Sequence, residues 1–275
     1  MLSFPRDWFA SAAAQSFRQR AASLLQAEFP DATLSVVKDP RLCRLLPLWR
    51  PILAELSIEP CCVILIRNPL EVAGSLHKRE GFEEGKSLLL WLRHVLAAER
   101  DSRGLPRCFV TYDQLLADWR GTIERIGRTL AIAWPRGAAA PAPEIDAFLT
   151  RKLRHHAFDA GATLARSDVP PQIKETYDWL IRAADGTPPP DDRLDRIDDE
   201  IVRSERIFAP AVVALEAAVK RQAETLHHWV GVADERFAII EQFREEIARL
   251  TSQVEGEPVP AAARKLFDRL RVWRS

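Results

Sequence analysis

The stretch Cys61-Cys62-Val63-Ile64-Leu65-Ile66-Arg67-Asn68-Pro69-Leu70-Glu71-Val72-Ala73-Gly74-Ser75, residues 61–75, decides how this chain folds. Six apolar residues run unbroken between Pro60 and Arg67. Continuous apolarity, unlike alternation, predicts a strand covered on both faces, as in a parallel sheet. The adjacent Cys61 and Cys62 are then expected to face opposite sides. Asn68 has a side chain that accepts from free backbone N–H groups, and Pro69 suits the first helical position, so a helix is expected over Leu70–Lys78. Arg67 thereby falls at the carboxyl end of a buried strand, where open α/β sheets bind their ligands.

Working outward, the same pattern recurs. Downstream, Leu88, Leu89, Trp91, Leu92, Val95, Leu96 and Ala98 mark the inner face of a helix over 84–101. Cys108-Phe109-Val110-Thr111-Tyr112 reads as a further strand, and Leu115–Leu130 as a helix. Upstream, residues 6–29 carry apolar residues at three- and four-residue steps, Leu34-Ser35-Val36-Val37 is a short β-rich run, and residues 42–56 have helical spacing with a kink or break expected at Pro47 and Pro51. Strands separated by helices imply parallel pairing with right-handed crossovers. An α/β core with a layered parallel sheet is therefore expected, ending near Trp134-Pro135.

Beyond it, RGAAAPAP (136–143) is loop-like and GTPPPDD (186–192) is a stiff polar linker. From Pro210 to Val254 one long amphipathic helix is expected, about 65 Å at 1.5 Å per residue. Its Ile240, Phe243, Ile247, Leu250 and Val254 alternate steps of three and four, a seam suited to self-association or to a return contact on the core. The domain reading is a core over 1–160, a helical segment with a Pro-rich linker over 161–209, the long helix over 210–254, and a basic amphipathic tail over 255–275. That tail, with Leu266, Phe267, Leu270, Val272 and Trp273 among basic residues, is expected to dock on protein, with a membrane surface as the alternative.

Composition narrows the function. The 275 residues carry 39 Lys plus Arg and 39 Asp plus Glu, so the net charge is zero; 47% are apolar and 28% charged. Enough apolar surface exists for a core, which excludes a wholly disordered chain. Zero net charge leaves no excess of cations to displace counterions, which argues against nucleic acid as a partner. No secretory leader and no apolar run of about 18 residues is present, so a cytoplasmic location is expected. Cys43, Cys61, Cys62 and Cys108 lack C-x-x-C spacing and are expected to be buried, reduced thiols. His155-His156 resembles a surface patch. No histidine spacing matches a zinc site, so no metal is assigned.

Arg67 offers a planar fork of donors suited to phosphate. Ser75 lies eight residues on, about two turns into the helix, past the slim Val72-Ala73-Gly74. The two can converge on one phosphate near a helix N-terminus. On spacing alone a second reading stands beside this one: Arg67 pairs with a surface carboxylate, and Ser75 is an incidental helix residue.

Taken together, VVKDPR (36–41), VILIRNPLEVAGS (63–75) and FVTYDQLLADWRGTIERIGRTLAI (109–132) resemble the sulfotransferase family, in its bacterial branch, over roughly residues 1–160. Members transfer the sulfuryl group of 3′-phosphoadenosine-5′-phosphosulfate (PAPS) to a hydroxyl or amine. The resemblance implies a P-loop-like three-layer α/β core, with PAPS as co-substrate and an acceptor that the sequence does not identify. It implies that Arg67 and Ser75 bind the nucleotide 3′-phosphate, that Tyr112 contacts the nucleotide, and that Lys38 lies near the transferring group. Where many members carry a catalytic histidine, this chain has Asp39-Pro40-Arg41. Asp39 is then the candidate base, or else the cap of the turn before Pro40.

Departing from the family, the chain has no glycine before Gly74 and hence no Gly-containing loop to cradle the 5′-phosphosulfate. The core is therefore expected to be incomplete at its N-terminus. Either the sequence is part of a longer sulfotransferase, or it kept half the nucleotide site and lost transfer. The competing reading is a non-catalytic interaction protein that uses a degenerate core and the helix from 210. A nucleotide kinase is disfavoured, because no G-x-x-x-x-G-K-[ST] occurs.

Overall fold

The computed structural model describes residues 6–137, 141–149 and 159–254. Two five-residue strands, β1 (Cys62–Ile66) and β2 (Arg107–Thr111), pair in parallel from Cys62↔Arg107 to Ile66↔Thr111. The other regular elements among the described residues are helical. A 3-10 helix (Arg6–Ala10) leads into α1 (Ala12–Glu28), and α2 (Leu42–Glu55) precedes β1. Between the strands lie α3 (Pro69–Glu80) and α4 (Glu84–Asp101). After β2 come α5 (Tyr112–Ala117), α6 (Trp119–Leu130), α7 (Ala142–Phe148), α8 (Ala160–Ala165) and α9 (Pro171–Ala184). Last comes α10, 63 residues from Asp192 to Val254.

Two helices between parallel strands are the crossover that such pairing demands, since a tight turn cannot bring a strand back in the same direction. Asn68 does what its position predicts: its Oδ1 accepts from the Leu70 N–H at 2.9 Å, and Pro69 opens α3. Its Nδ2 donates to Thr163 Oγ1 at 2.8 Å, so the same side chain ties α3 to α8.

The main core lies on one face of the sheet. Ile64, Ile66 and Phe109 pack there with Leu92 and Leu96 of α4 and with Trp179 and Leu180 of α9. The Phe109 and Trp179 rings meet edge-on, centroids 5.6 Å apart. On the other face, Cys108 and Val110 of β2 pack with Ile126 and Leu130 of α6. β2 is thus covered on both faces.

β1 is not. Ile64 and Ile66 are buried, but Val63 is 47% and Leu65 52% exposed, which corrects the expectation of a strand covered on both sides. The expected strand at Leu34–Val37 also fails. Residues 35–39 have no regular structure, and Val36 and Val37 are exposed. A four-residue β-rich run acquires strand geometry by pairing, and among the described residues it has no partner. Among the described residues the sheet therefore has two strands, and the fold is mostly helical with a small parallel sheet and a long C-terminal helix.

Other corrections concern helix boundaries. Pro47 and Pro51 lie inside an unbroken α2, because Leu48 and Ile52 are buried and packing outweighs the lost backbone bonds. The helix expected over 115–130 is divided at Asp118, whose carboxylate accepts from Gly121 N and so starts α6 afresh. The long helix begins at Asp192, well before Pro210, and runs through that proline. Of the four thiols only Cys108 is buried; Cys61 is exposed, and Cys43 and Cys62 are half-buried. The basic tail over 255–275 and the His155-His156 pair lie outside the described residues. Among the described residues no helix is long and apolar enough to cross a membrane.

The chain falls into two units, divided between Glu205 and Arg206. Pro210 lacks the N–H that would bond to the Arg206 carbonyl, so the helix loses a rung beside this division. Within the first unit, the opening turns of α10 are held by charge as well as by the buried Leu194 and Ile197. Arg93 pairs with Glu205, and Arg100 Nη1 with Asp198 at 2.5 Å. Arg103, just past α4, bridges Asp195 at 2.8 Å and the buried Glu99 carboxylate at 2.7 Å. Glu99 also accepts from Arg107 of β2 at 2.9 Å. Removing one member of a buried pair leaves the others uncompensated. Glu99→Ala is therefore expected to lower unfolding stability by about 3–5 kcal/mol, and Glu99→Gln by less. Urea titration followed by circular dichroism checks both; equal effects would mean that the charge is immaterial.

Candidate functional site

The last ladder pair, Ile66↔Thr111, brings the carboxyl ends of the two strands level. Arg67 and Tyr112 are the next residues of each chain segment, so they emerge side by side. The Arg67 guanidinium carbon sits 5.2 Å from the centroid of the Tyr112 ring. Thr111 caps α5 reciprocally with Gln114: its hydroxyl accepts from Gln114 N at 3.0 Å, and the Gln114 side chain accepts from Thr111 N at 3.1 Å. That capping box sets the backbone angle from which Tyr112 projects. Trp91 Nε1 donates to the Arg67 carbonyl at 3.0 Å and pins the other strand end.

Arg67 Nε donates to Glu71 Oε2 at 3.2 Å. Glu71 is buried in the first turn of α3, where a carboxylate also meets the positive end of the helix dipole. Pairing with a carboxylate, the alternative left open by the sequence, is thus present, with a buried rather than a surface partner. The Arg67 side chain keeps 30% of its surface exposed, and among the described residues neither Nη1 nor Nη2 makes a hydrogen bond. Ser75 is half-buried one helical turn beyond Glu71, on the same face of α3. Glu71 therefore stands between the two residues expected to share a phosphate.

Lys38 and Asp39 lie in the irregular segment before α2, and no described contact joins them to Arg67, Ser75 or Tyr112. Lys38 is exposed. Asp39 is engaged locally: its Oδ1 accepts from Arg41 N at 2.8 Å, and its Oδ2 from Arg41 Nη2 at 2.6 Å. The side-chain hydrogen bond from Arg41 holds its carboxyl at about 2. A general base works best with a pKa near the working pH. The Asp39 carboxylate instead has the geometry of a turn cap, and so held it is a weak proton acceptor near neutral pH.

Two residues of the site were not singled out in the sequence. Glu71 was legible, since it lies four residues from Arg67 across a predicted strand end and helix start. Trp91 was read only as a core residue; its bond to the strand end comes from how α4 packs. A shallow cavity of about 490 Å³ lies elsewhere, lined by residues including Arg107, Phe109, Gln114, Arg125 and Ala184, and shares no residue with the Arg67–Tyr112 pair. Arg125 is already committed there: Nη1 donates to the Phe109 and Ala184 carbonyls and Nη2 to Gln114 Oε1.

For Asp39 the sign follows from its depressed pKa. The folded state favours the charged form, so the Arg41 pair contributes stability above the usual carboxylate pKa of about 3.9. That contribution is lost as the pH falls through about 2. Carboxyl-carbon NMR titration is expected to place the Asp39 midpoint near 2 and to move it toward about 3.9 in Arg41→Ala. A midpoint at or above the usual value would return Asp39 to candidacy as a base.

No protein-family model matches the chain, and no curated protein or solved structure proved significantly similar to it.

Proposed function

We propose that this chain is a sulfotransferase-type protein whose nucleotide site is built around Arg67 and Tyr112, a site of the kind that serves transfer of a sulfuryl group from PAPS to a hydroxyl or amine but is incomplete in this chain. The observation that carries the reading is the partly exposed Arg67 fork lying over the Tyr112 ring where two parallel strands end. Crevices outside the carboxyl ends of parallel strands are where such folds bind ligands, and an arginine fork suits phosphate. On this reading Arg67 and Ser75 hold the ribose-side phosphate and Tyr112 contacts the nucleotide. Lys38 serves the transferring group. PAPS supplies an activated sulfate; the protein's part in such an in-line displacement is positioning and charge neutralisation.

The chain has no glycine-containing loop for the 5′-phosphosulfate, and Glu71 competes for the guanidinium. Binding is therefore expected to be weak and turnover absent. Calorimetry with adenosine 3′,5′-bisphosphate checks this: weak saturable binding by the chain, lost in Arg67→Ala and tightened about tenfold (near 1.4 kcal/mol) in Glu71→Gln. Because Arg67→Ala removes one partner of a buried carboxylate, its fold is verified by circular dichroism, and the gain in Glu71→Gln carries the inference independently. No binding at any attainable concentration, or binding indifferent to both substitutions, sinks the reading. Radiolabel transfer from PAPS by the 275-residue chain would overturn the expected lack of turnover.

The Arg67–Glu71 pair also favours a second reading: a core whose phosphate-binding cation has been turned to structural use, with the helix from 210 as the working surface of an interaction protein.

A further inference from the structure

From Phe208 to Val254 the sequence alternates steps of four and three residues without a break, giving seven a and seven d positions of a heptad. The a positions include Val212, Val219, Leu226, Ile240 and Ile247; the d positions include Phe208, Leu215, Trp229, Phe243 and Leu250. All of these lie on α10 with exposed side chains, from 43% at Val212 to 66% at Leu226. An apolar seam of this length left in water is costly, and helices with such seams bury them by supercoiling around one another.

We propose that the stretch from Phe208 to Val254 pairs with the same stretch of a second copy of this chain, as a parallel, in-register, two-stranded coiled coil. The claim deepens the second reading above by naming the partner. Three observations commit it to a second copy. First, five of the seven a positions are Val or Ile, and Leu215 and Leu250 stand at d; β-branched a with Leu d is the pairing that favours two parallel strands. Second, the flanks match through the middle of the seam. In register, each g residue meets the e residue five positions on in the partner: Ala218 meets Ala223, Thr225 meets Val230 and Val232 meets Phe237, small with small and larger with larger, while nearer the ends Ala211 meets Glu216, Ile239 meets Arg244 and Glu246 meets Thr251.

Charge on the flanks does not oppose this arrangement. Of the three charged flank residues, Glu216 faces the partner's small Ala211, and Arg244 and Glu246 are neutralised within their own helix, by Glu241 at 2.6 Å and Arg249 at 2.6 Å; no g–e′ pair brings like charges together. Third, the area suffices. The large a and d side chains, each roughly half exposed, offer on the order of 1,000 Å² per helix, more than the roughly 800 Å² per partner of a stable interface.

Two d positions are polar, and each has a consequence in this alignment. Gln222 meets its own copy, and paired amides hydrogen-bond only in register. Arg236 also meets its own copy, so its charge is a built-in weakness of the seam.

Sedimentation equilibrium of the full chain tests the proposal. The expected result is a mass of two chains at micromolar concentration. The pair Ile240→Asp with Phe243→Asp should weaken association at least about tenfold, while Arg236→Leu should tighten it. Because these side chains are exposed, unit one is not expected to unfold, and circular dichroism with the urea midpoint verifies that. Leu250→Cys should form a covalent dimer on mild oxidation, linked between the two copies of position 250 and absent from the unsubstituted chain. A monomer across the accessible range, a mass of three or more chains, or no such link overturns it. A two-chain mass together with nucleotide binding at Arg67 supports this proposal and removes only the degenerate-core reading. A monomer that binds no nucleotide overturns it and leaves that reading standing.

Discussion

One buried carboxylate joins the elements that no backbone ladder connects. Glu99, at the end of α4, accepts from Arg107 of β2 and from Arg103, and Arg103 in turn reaches Asp195 on α10. A carboxylate taken from water carries a desolvation cost of several kcal/mol, offset here only because two guanidinium groups close on it. Helix α4 also packs against α2, α3, α9 and β1, so this charge cluster orients the element about which the first unit is arranged. A two-stranded sheet has too little of its own to hold a fold. Helix packing and the charge clamp carry what a wider sheet would otherwise supply.

The same economy shapes the candidate site. Two strands of equal length and matched register end level, and the next residue of each, Arg67 and Tyr112, is presented at one place. Nothing beyond the ladder is needed to bring the pair together. What the guanidinium does there is set by its neighbours. Glu71 draws on Nε and Trp91 holds the backbone, while the outer part of the fork faces solvent. An arginine so held suits recognition of an anion whose charge outweighs that of one carboxylate, and the helix that Asn68 begins is anchored tightly enough to keep it in place.

Much of this was legible in residues 61–75. The strand, the Asn68 cap, Pro69 at the helix start and the position of Arg67 all follow from local chemistry, and the structure has them. The helix over 84–101 appears with the bounds its periodicity predicts. The errors share a cause. Val36-Val37 and Val63-Leu65 are apolar runs that suit a strand or a covered face, but whether a partner arrives is not a local property. Asp39 was legible as a base or as a turn cap; the Arg41 side chain folding back on it gives it the cap's geometry, a choice of rotamer that spacing does not encode. The prolines of α2 show the converse, with burial of Leu48 and Ile52 overriding a local rule.

By itself, then, the sequence determined the two paired strands and the helices that lie between them, the Asn68 cap, the neutral charge balance and the heptad seam of the long helix. Each of these depends on side chains within a few residues of one another. Tertiary structure alone decided that the sheet stops at two strands among the described residues, that α10 begins at Asp192 by docking on α4, and that Tyr112 comes to lie beside Arg67. These rest on contacts between residues far apart in the chain, whose free energy exists only once burial has removed the competing water.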